Sequence, residues 1–293
     1  MNIKRAELKK CAKNILAYKY WFLFVLAMIS VVGSYAAVLL GLGLGAILFT
    51  APFRAAYCNC IVVNSQNGEE TDKGVLWKNF KDNYSMLLKN IFIRDLLLAL
   101  WSLTFGIGIT FFALGILCIM AAAMSAVMTV FSPIMALFLF PFVQEIPSVS
   151  EAVSTDYMLA AFPLLAIGFV MTVVGVIIYY NKLYSYYMTD FIIGENPRMG
   201  WREAIKKSKK MMKKKRFYAL KLDLSFIGWY AVVTLAVSFF WKLAGPFSII
   251  LLIIGNTMVS VYRDVTVAQM YLHLKQENED YVIIDSEKEN YYG

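Results

Sequence analysis

Between Ile91 and Val143 the chain carries only two charged residues, Arg94 and Asp95, both near the start. A run of that length would leave a soluble fold with far more apolar surface than it could cover. It suits lipid instead, where about 20 apolar residues cross the hydrocarbon as a helix. Further apolar runs lie at residues 20–63, 163–193, 217–241 and 246–270. None alternates apolar and polar residues as a β-barrel strand would. In lipid the backbone must pair within its own segment or barrel, so these spans are expected to be helical. The expected fold class is all-α, a polytopic helical membrane protein. Composition agrees: 16% of the residues are charged, where a soluble domain has about one quarter.

The order of runs sets an expected topology. Residues 20–63 are too many for one helix, and Gly41-Leu42-Gly43-Leu44-Gly45 is the natural place to turn. No Lys-Ser/Thr pair follows these glycines, so a phosphate-cradling loop is the weaker reading. Residues 91–143 are expected as two helices, 91–114 and 117–143. Seven hydrophobic segments result. Lys4, Arg5, Lys9, Lys10, Lys13 and Lys19 place the N-terminus in the cytoplasm. The run after them is too long and aromatic for a cleaved signal peptide. The loop at 144–156 has three acids and no Lys or Arg, so it is expected outside. Five segments then separate two cytoplasmic elements, an odd number that cannot return the chain to its starting side. Six crossings are preferred to seven, with residues 20–63 crossing once and part of that run re-entrant. Residues 1–274 are expected to form one integral membrane domain, and 275–293 an acidic flexible tail.

The second cytoplasmic element is a basic helix at 199–216. From Arg202 to Arg216 there are nine Lys/Arg and one acid, Glu203. Asn196 and Pro197 suit a helix start, since proline sets φ and removes a donor the first turn leaves unpaired. Trp201, Ala204, Ile205, Ser208, Met211 and Met212 share one face. The cations fill the rest: Arg202, Lys206, Lys207, Lys209, Lys210, Lys213, Lys214, Lys215 and Arg216. A narrow apolar stripe with a cationic remainder suits a helix lying in the membrane interface and touching anionic headgroups. No aromatic residues alternate with the lysines, so nucleic acid is not an expected partner. A solvated connecting helix is the plainer alternative.

This region carries a resemblance. Tyr184-Ser185-Tyr186, Met188, Asn196-Pro197, Ala204-Ile205, Ser208, Met211-Met212 and Leu224-Ser225-Phe226-Ile227-Gly228-Trp229 form a long motif. It resembles the signature of the bacterial integral-membrane family catalogued as domain of unknown function 975. Weaker similarity covers Arg5-Ala6-Glu7-Leu8-Lys9 and Leu100-Trp101-Ser102-Leu103. The chain departs from the pattern where Lys213-Lys214-Lys215 replaces a glycine, and in a long insertion before the Tyr-Ser-Tyr run. The resemblance implies a multi-pass protein of the bacterial cytoplasmic membrane and supplies no activity.

Chemistry is sparse. His273 is the only histidine, and Cys11, Cys58, Cys60 and Cys118 lack the spacing of a zinc site. No hydrolase, nucleotide or dinucleotide motif occurs. Neither a catalytic site, a metal nor a cofactor is expected. The polar residues in or beside the spans are Arg54, Asp95, Lys182, Asp190, Lys221 and Asp223. Such residues are costly in a membrane and call for partners. Asp223 either reaches water, as Lys221 would, or meets a cation on another helix, with Lys182 the first candidate. The expected role is a lipid-associated scaffold or a subunit of a membrane assembly, with a membrane-protein partner possible. The alternative is a transporter or channel.

Overall fold

The computed structural model describes residues 4–41, 44–66, 74–139 and 151–292. Eight helices and no strand occur among the described residues: α1 Arg5–Gly41, α2 Leu44–Gln66, α3 Gly74–Leu139, α4 Glu151–Ser185, α5 Thr189–Glu195, α6 Trp201–Met211, α7 Arg216–Ala244 and α8 Phe247–Tyr292. Five stretches are long and apolar enough to cross a membrane, lying in α1, α3, α4–α5, α7 and α8. The described part of α2 is not one of them.

The helices form two compact units. One takes in the chain up to Leu96 together with the chain from Tyr184; the other is Leu97–Leu183. In the first unit the core centres on α2, where Phe53, Ala55, Ala56, Cys60 and Ile61 are wholly buried. α1, α5 and α8 all pack on α2. α1 opens with the backbone N–H of Lys4 donating to the Glu7 carboxylate at 3.3 Å, one half of a capping box. Lys19 is buried, with its ammonium donating to the Asn64 carbonyl at 2.6 Å. α2 contains Pro52, which cannot donate to the carbonyl of Leu48 four residues back. The Tyr84 hydroxyl donates to that carbonyl at 3.0 Å, so α2 continues through its proline.

The second unit is an antiparallel pair made by the later part of α3 and α4. Small residues spaced by seven line both helices: Gly108, Gly115 and Ala122 on α3, and Ala161, Gly168 and Gly175 on α4, all buried. A side-chain carbon at Gly168 would fall on the backbone of Phe112, and one at Gly175 on the backbone of Phe105. The two backbones touch because glycine lets them, the way helices associate where lipid removes the hydrophobic drive. Most large apolar side chains of this unit face outward, among them Leu103, Phe162, Phe169 and Ile177.

Residues 91–139 form one continuous helix, not two with a break at 115–116; Gly115 is a contact and not a turn. The run 20–63 does divide near its glycines, with α1 ending at Gly41 and α2 beginning at Leu44; residues 42–43 lie outside the described residues. Pro197 does not begin the basic helix: Asn196 closes α5, its N–H donating to Ile192 at 3.0 Å, and α6 starts at Trp201 after the extended Gly200. α6 also ends early, at Met211, because the chain turns through Lys214, whose φ is 65°. The acidic tail continues α8 to Tyr292, and its first residues are tied to the fold. Lys275 pairs with Glu195 and Glu277 with Lys215, each at 3.1 Å. Most of the acidic loop 144–156 and of the polar loop after Asn64 lies outside the described residues.

Candidate functional site

α5 is a short helix set between two breaks, and its docking assembles the polar interior of the first unit. α4 stops at Ser185, which leaves carbonyls without helical partners. Ser208 of α6 donates to the Ser185 carbonyl at 2.9 Å. At the other end of α5, Asn79 donates to the Gly194 carbonyl at 2.9 Å. Asn90 donates to Pro197 at 3.3 Å and to Met199 at 2.9 Å. The Asn-Pro turn is therefore held by two asparagines of α3. Gly194 has to be small, because a side-chain carbon there would meet the Ala55 carbonyl.

The docked α5 brings Asp190 to a closed ring of four charges. Arg54 of α2 reaches Asp95 at 2.7 Å and Asp190 at 3.1 Å. Arg94 of α3 reaches Asp95 at 2.8 Å and Asp190 at 2.9 Å. Each carboxylate thus faces both guanidiniums, and the ring is neutral. Its inner half is Arg94 and Asp190, with side chains 7% and 13% exposed; Arg54 and Asp95 are 41% and 42% exposed. Charges taken from water need this kind of mutual neutralisation.

A second cluster joins α7, α8 and the turn after α4. Arg263 donates to Asp223 at 2.8 Å. The hydroxyl of Tyr187 also donates to Asp223 at 2.8 Å, and that of Tyr184 at 3.1 Å. Glu195 forms a third site, accepting from Tyr271 at 2.7 Å and from Lys275 at 3.1 Å. Asp223 does meet a cation on another helix, but it is Arg263. Lys182 lies in the other unit, 4.2 Å from the centre of the Trp101 ring. Lys221 is exposed over Phe217 at 4.4 Å. Arg54 and Asp223 belong to separate clusters rather than to one shared ring. Arg263, Tyr184, Tyr187 and Glu195 are not among the expected site residues. An arginine and aspartate side by side in an otherwise apolar run, Arg263-Asp264, is the available signal, and Arg94-Asp95 repeats it.

The basic helix divides cleanly. Ala204, Ile205, Ser208, Met211 and Met212 are buried in the protein. Its apolar stripe is therefore spent on the fold, with only Trp201 left half-buried, and Ile205 and Met212 have protein rather than lipid around them. Arg202, Lys206, Lys209, Lys210, Lys213 and Lys214 are exposed, while Lys207, Lys215 and Arg216 are half-buried. Arg202 lies over the Trp201 ring at 5.0 Å and Lys209 over Tyr186 at 5.3 Å. Among the described residues no group of three or more His, Cys, Asp or Glu could hold a metal.

A family model described as protein of unknown function (DUF975) matches residues 1–278. The chain belongs to the DUF975 family. The match runs from the start of the chain to the part of α8 that meets α6. Neither a curated protein nor a solved structure matches the chain. The fold gives the motif that carries the resemblance a physical meaning in this chain. Tyr184, Ser185, Tyr186, Met188, Ala204, Ile205, Ser208, Met211, Met212 and Phe226 are all buried. Those from Tyr184 to Met212 lie in and around α5 and α6 and bury them against the rest of the unit, while Phe226 packs against Tyr262 of α8. Leu224, Ile227 and Trp229 instead face outward from α7.

Proposed function

We propose that this chain is a non-enzymatic scaffold or assembly subunit of the bacterial cytoplasmic membrane, and that the outer face of α6 rests against anionic lipid headgroups. Six crossings are proposed, by α1, α2, α3, α4, α7 and α8, with the N-terminus and α6 in the cytoplasm. The single α3 helix supports this count. Joining 91–114 to 117–143 removes one segment from seven and cures the odd number between the two basic elements. α2 then returns the chain across, its less apolar sequence covered by the packing of α1, α5 and α8 and its Arg54 paired within the charge ring, and no re-entrant segment is needed.

The observation that carries the functional reading is the division of α6. Its apolar side is committed to the protein core, so the helix is a fixed platform, and its cations are presented outward in one patch. The interior charges form closed clusters of their own. A cation near an anionic leaflet contributes about 1 kcal/mol, so a patch of exposed lysines and arginine would hold the docked unit against the surface and favour a membrane-bound partner with matching acidity.

The test is thermal unfolding of the full chain in nanodiscs of phosphatidylcholine, with or without phosphatidylglycerol. Anionic lipid is expected to raise the melting temperature, and added salt to remove the gain through screening beyond about a Debye length. The triple variant Arg202→Gln, Lys206→Gln, Lys209→Gln should lose much of the lipid-dependent gain. Equal melting in both lipids, or a variant that responds like the parent, refutes the headgroup contact.

A further inference from the structure

Where α6 turns into α7, a groove of about 510 Å³ opens against α8. Lys210, Lys213, Lys214 and Lys215 line one side, and Glu277 and Asn278 of α8 line the other. Such a volume is in the range of small-molecule sites, roughly 300–1,000 Å³. Lys215 is engaged by Glu277 at 3.1 Å. Lys210, Lys213 and Lys214 are exposed. α7 begins at Arg216, so the positive end of a long helix lies at the same turn, which favours an anion there.

The backbone supplies an independent observation. Lys214 has φ of 65° and is the only non-glycine residue with positive φ among the described residues. This region suits glycine, and Asn or Asp enter it with the help of short polar side chains; lysine has no such help. A glycine would make the same turn with less strain. A strained residue held in a groove is reason to ask what its side chain does there.

We infer that this groove is a binding site for a phosphate-bearing anion, either a lipid headgroup phosphate or a soluble phosphorylated compound, held by Lys210, Lys213 and Lys214. Three exposed lysines lining one small volume match a compact multivalent anion. Glu277 keeps Lys215 aside and limits the positive charge to what such a group neutralises. The inference stands on the groove and its turn, and does not require the rest of α6 to touch lipid.

The decisive variant is Lys214→Gly, because strain and binding pull in opposite directions. In detergent without ligand it should melt higher than the parent, by about 2–4 °C, since the left-handed turn is relaxed. Its response to ligand should fall, with an apparent affinity about five-fold weaker for the lost cation. Two probes separate the sources. Inorganic pyrophosphate is added to the full chain in neutral detergent, with sodium chloride at matched ionic strength as control. Phosphatidic acid is added to phosphatidylcholine nanodiscs. Stabilisation of the parent by pyrophosphate assigns a soluble phosphate, and stabilisation by phosphatidic acid alone assigns a headgroup. The double variant Lys210→Gln, Lys213→Gln should lose the response in the same arm. No stabilisation of the parent by either probe overturns the site. So does a Lys214→Gly protein that keeps the full response.

Discussion

Alanine at position 190 is expected to cost the fold about 3–5 kcal/mol, the usual penalty for stranding a buried charge. Asp190 answers Arg54 and Arg94 together, at 3.1 and 2.9 Å. Arg94 is nearly inaccessible to solvent, so it has no water to replace the lost carboxylate. The other acid of the ring, Asp95, should behave differently. Its side chain is 42% exposed, and solvent can compensate much of a loss there, so Asp95→Asn should cost about 1 kcal/mol or less. The asymmetry distinguishes a ring with an inner half from four equivalent surface pairs. The double variant Arg94→Met, Asp190→Leu removes both inner charges and should recover most of the stability, because a matched apolar pair avoids the desolvation that a lone charge suffers. Thermal unfolding in detergent measures all four proteins. Equal losses for Asp190→Ala and Asp95→Asn would mean that the ring is not buried on the Asp190 side.

Leucine at Gly168 is expected to be as damaging, at about 3 kcal/mol or more, the upper end of overpacking costs. Its first side-chain carbon would collide with the backbone of Phe112 and approach the Gly108 carbonyl to 3.0 Å. Neither atom can rotate away, so α3 and α4 must separate, and the contacts at Gly108, Gly115 and Gly175 go with them. Gly106 is the control. A side chain there meets nothing within 4 Å, so Gly106→Leu should be close to neutral despite the same chemistry two residues from Gly108. Comparable effects of the two substitutions would show that helix propensity, and not close backbone contact, governs this pair.

These expectations rest on features the sequence reveals unequally. The all-α class and the apolar runs are legible because lipid imposes length and composition on any span. The turn at Gly41–Gly45 is legible for the same reason. The break expected at 115–116 came from fitting 91–143 to two bilayer widths, yet nothing in that run stops a helix. Gly115 instead belongs to a seven-residue repeat of small residues, a signal present on both α3 and α4. The start of α6 is ambiguous in the sequence because Pro197 fits a helix entrance and a turn equally well. Its end is unmarked because Lys213-Lys214-Lys215 contains none of the residues that normally mark a left-handed turn. The stripe on α6 was visible from its spacing, but spacing cannot tell whether protein or lipid covers a stripe. The charge ring shows the same limit. Arg54 plainly needed a partner, whereas Asp95 and Asp190 are brought to it by the packing of α3 and α5, which no local pattern records.

The central claim is that α6 is docked by its apolar face and turns its lysines to the cytoplasm, and cysteine accessibility tests it most directly. Cys58 and Cys60 are buried and can remain, while exposed Cys11 and partly exposed Cys118 are replaced. Single cysteines are then placed at positions 150, 206 and 208 and probed with a membrane-impermeant thiol reagent. Position 150 should react on intact cells. Position 206 should react only after permeabilisation, and position 208 should stay protected until the protein is unfolded, because Ser208 is wholly buried and bonded to Ser185. Labelling of 206 on intact cells, or of 208 as fast as 206 in the folded protein, would contradict the account.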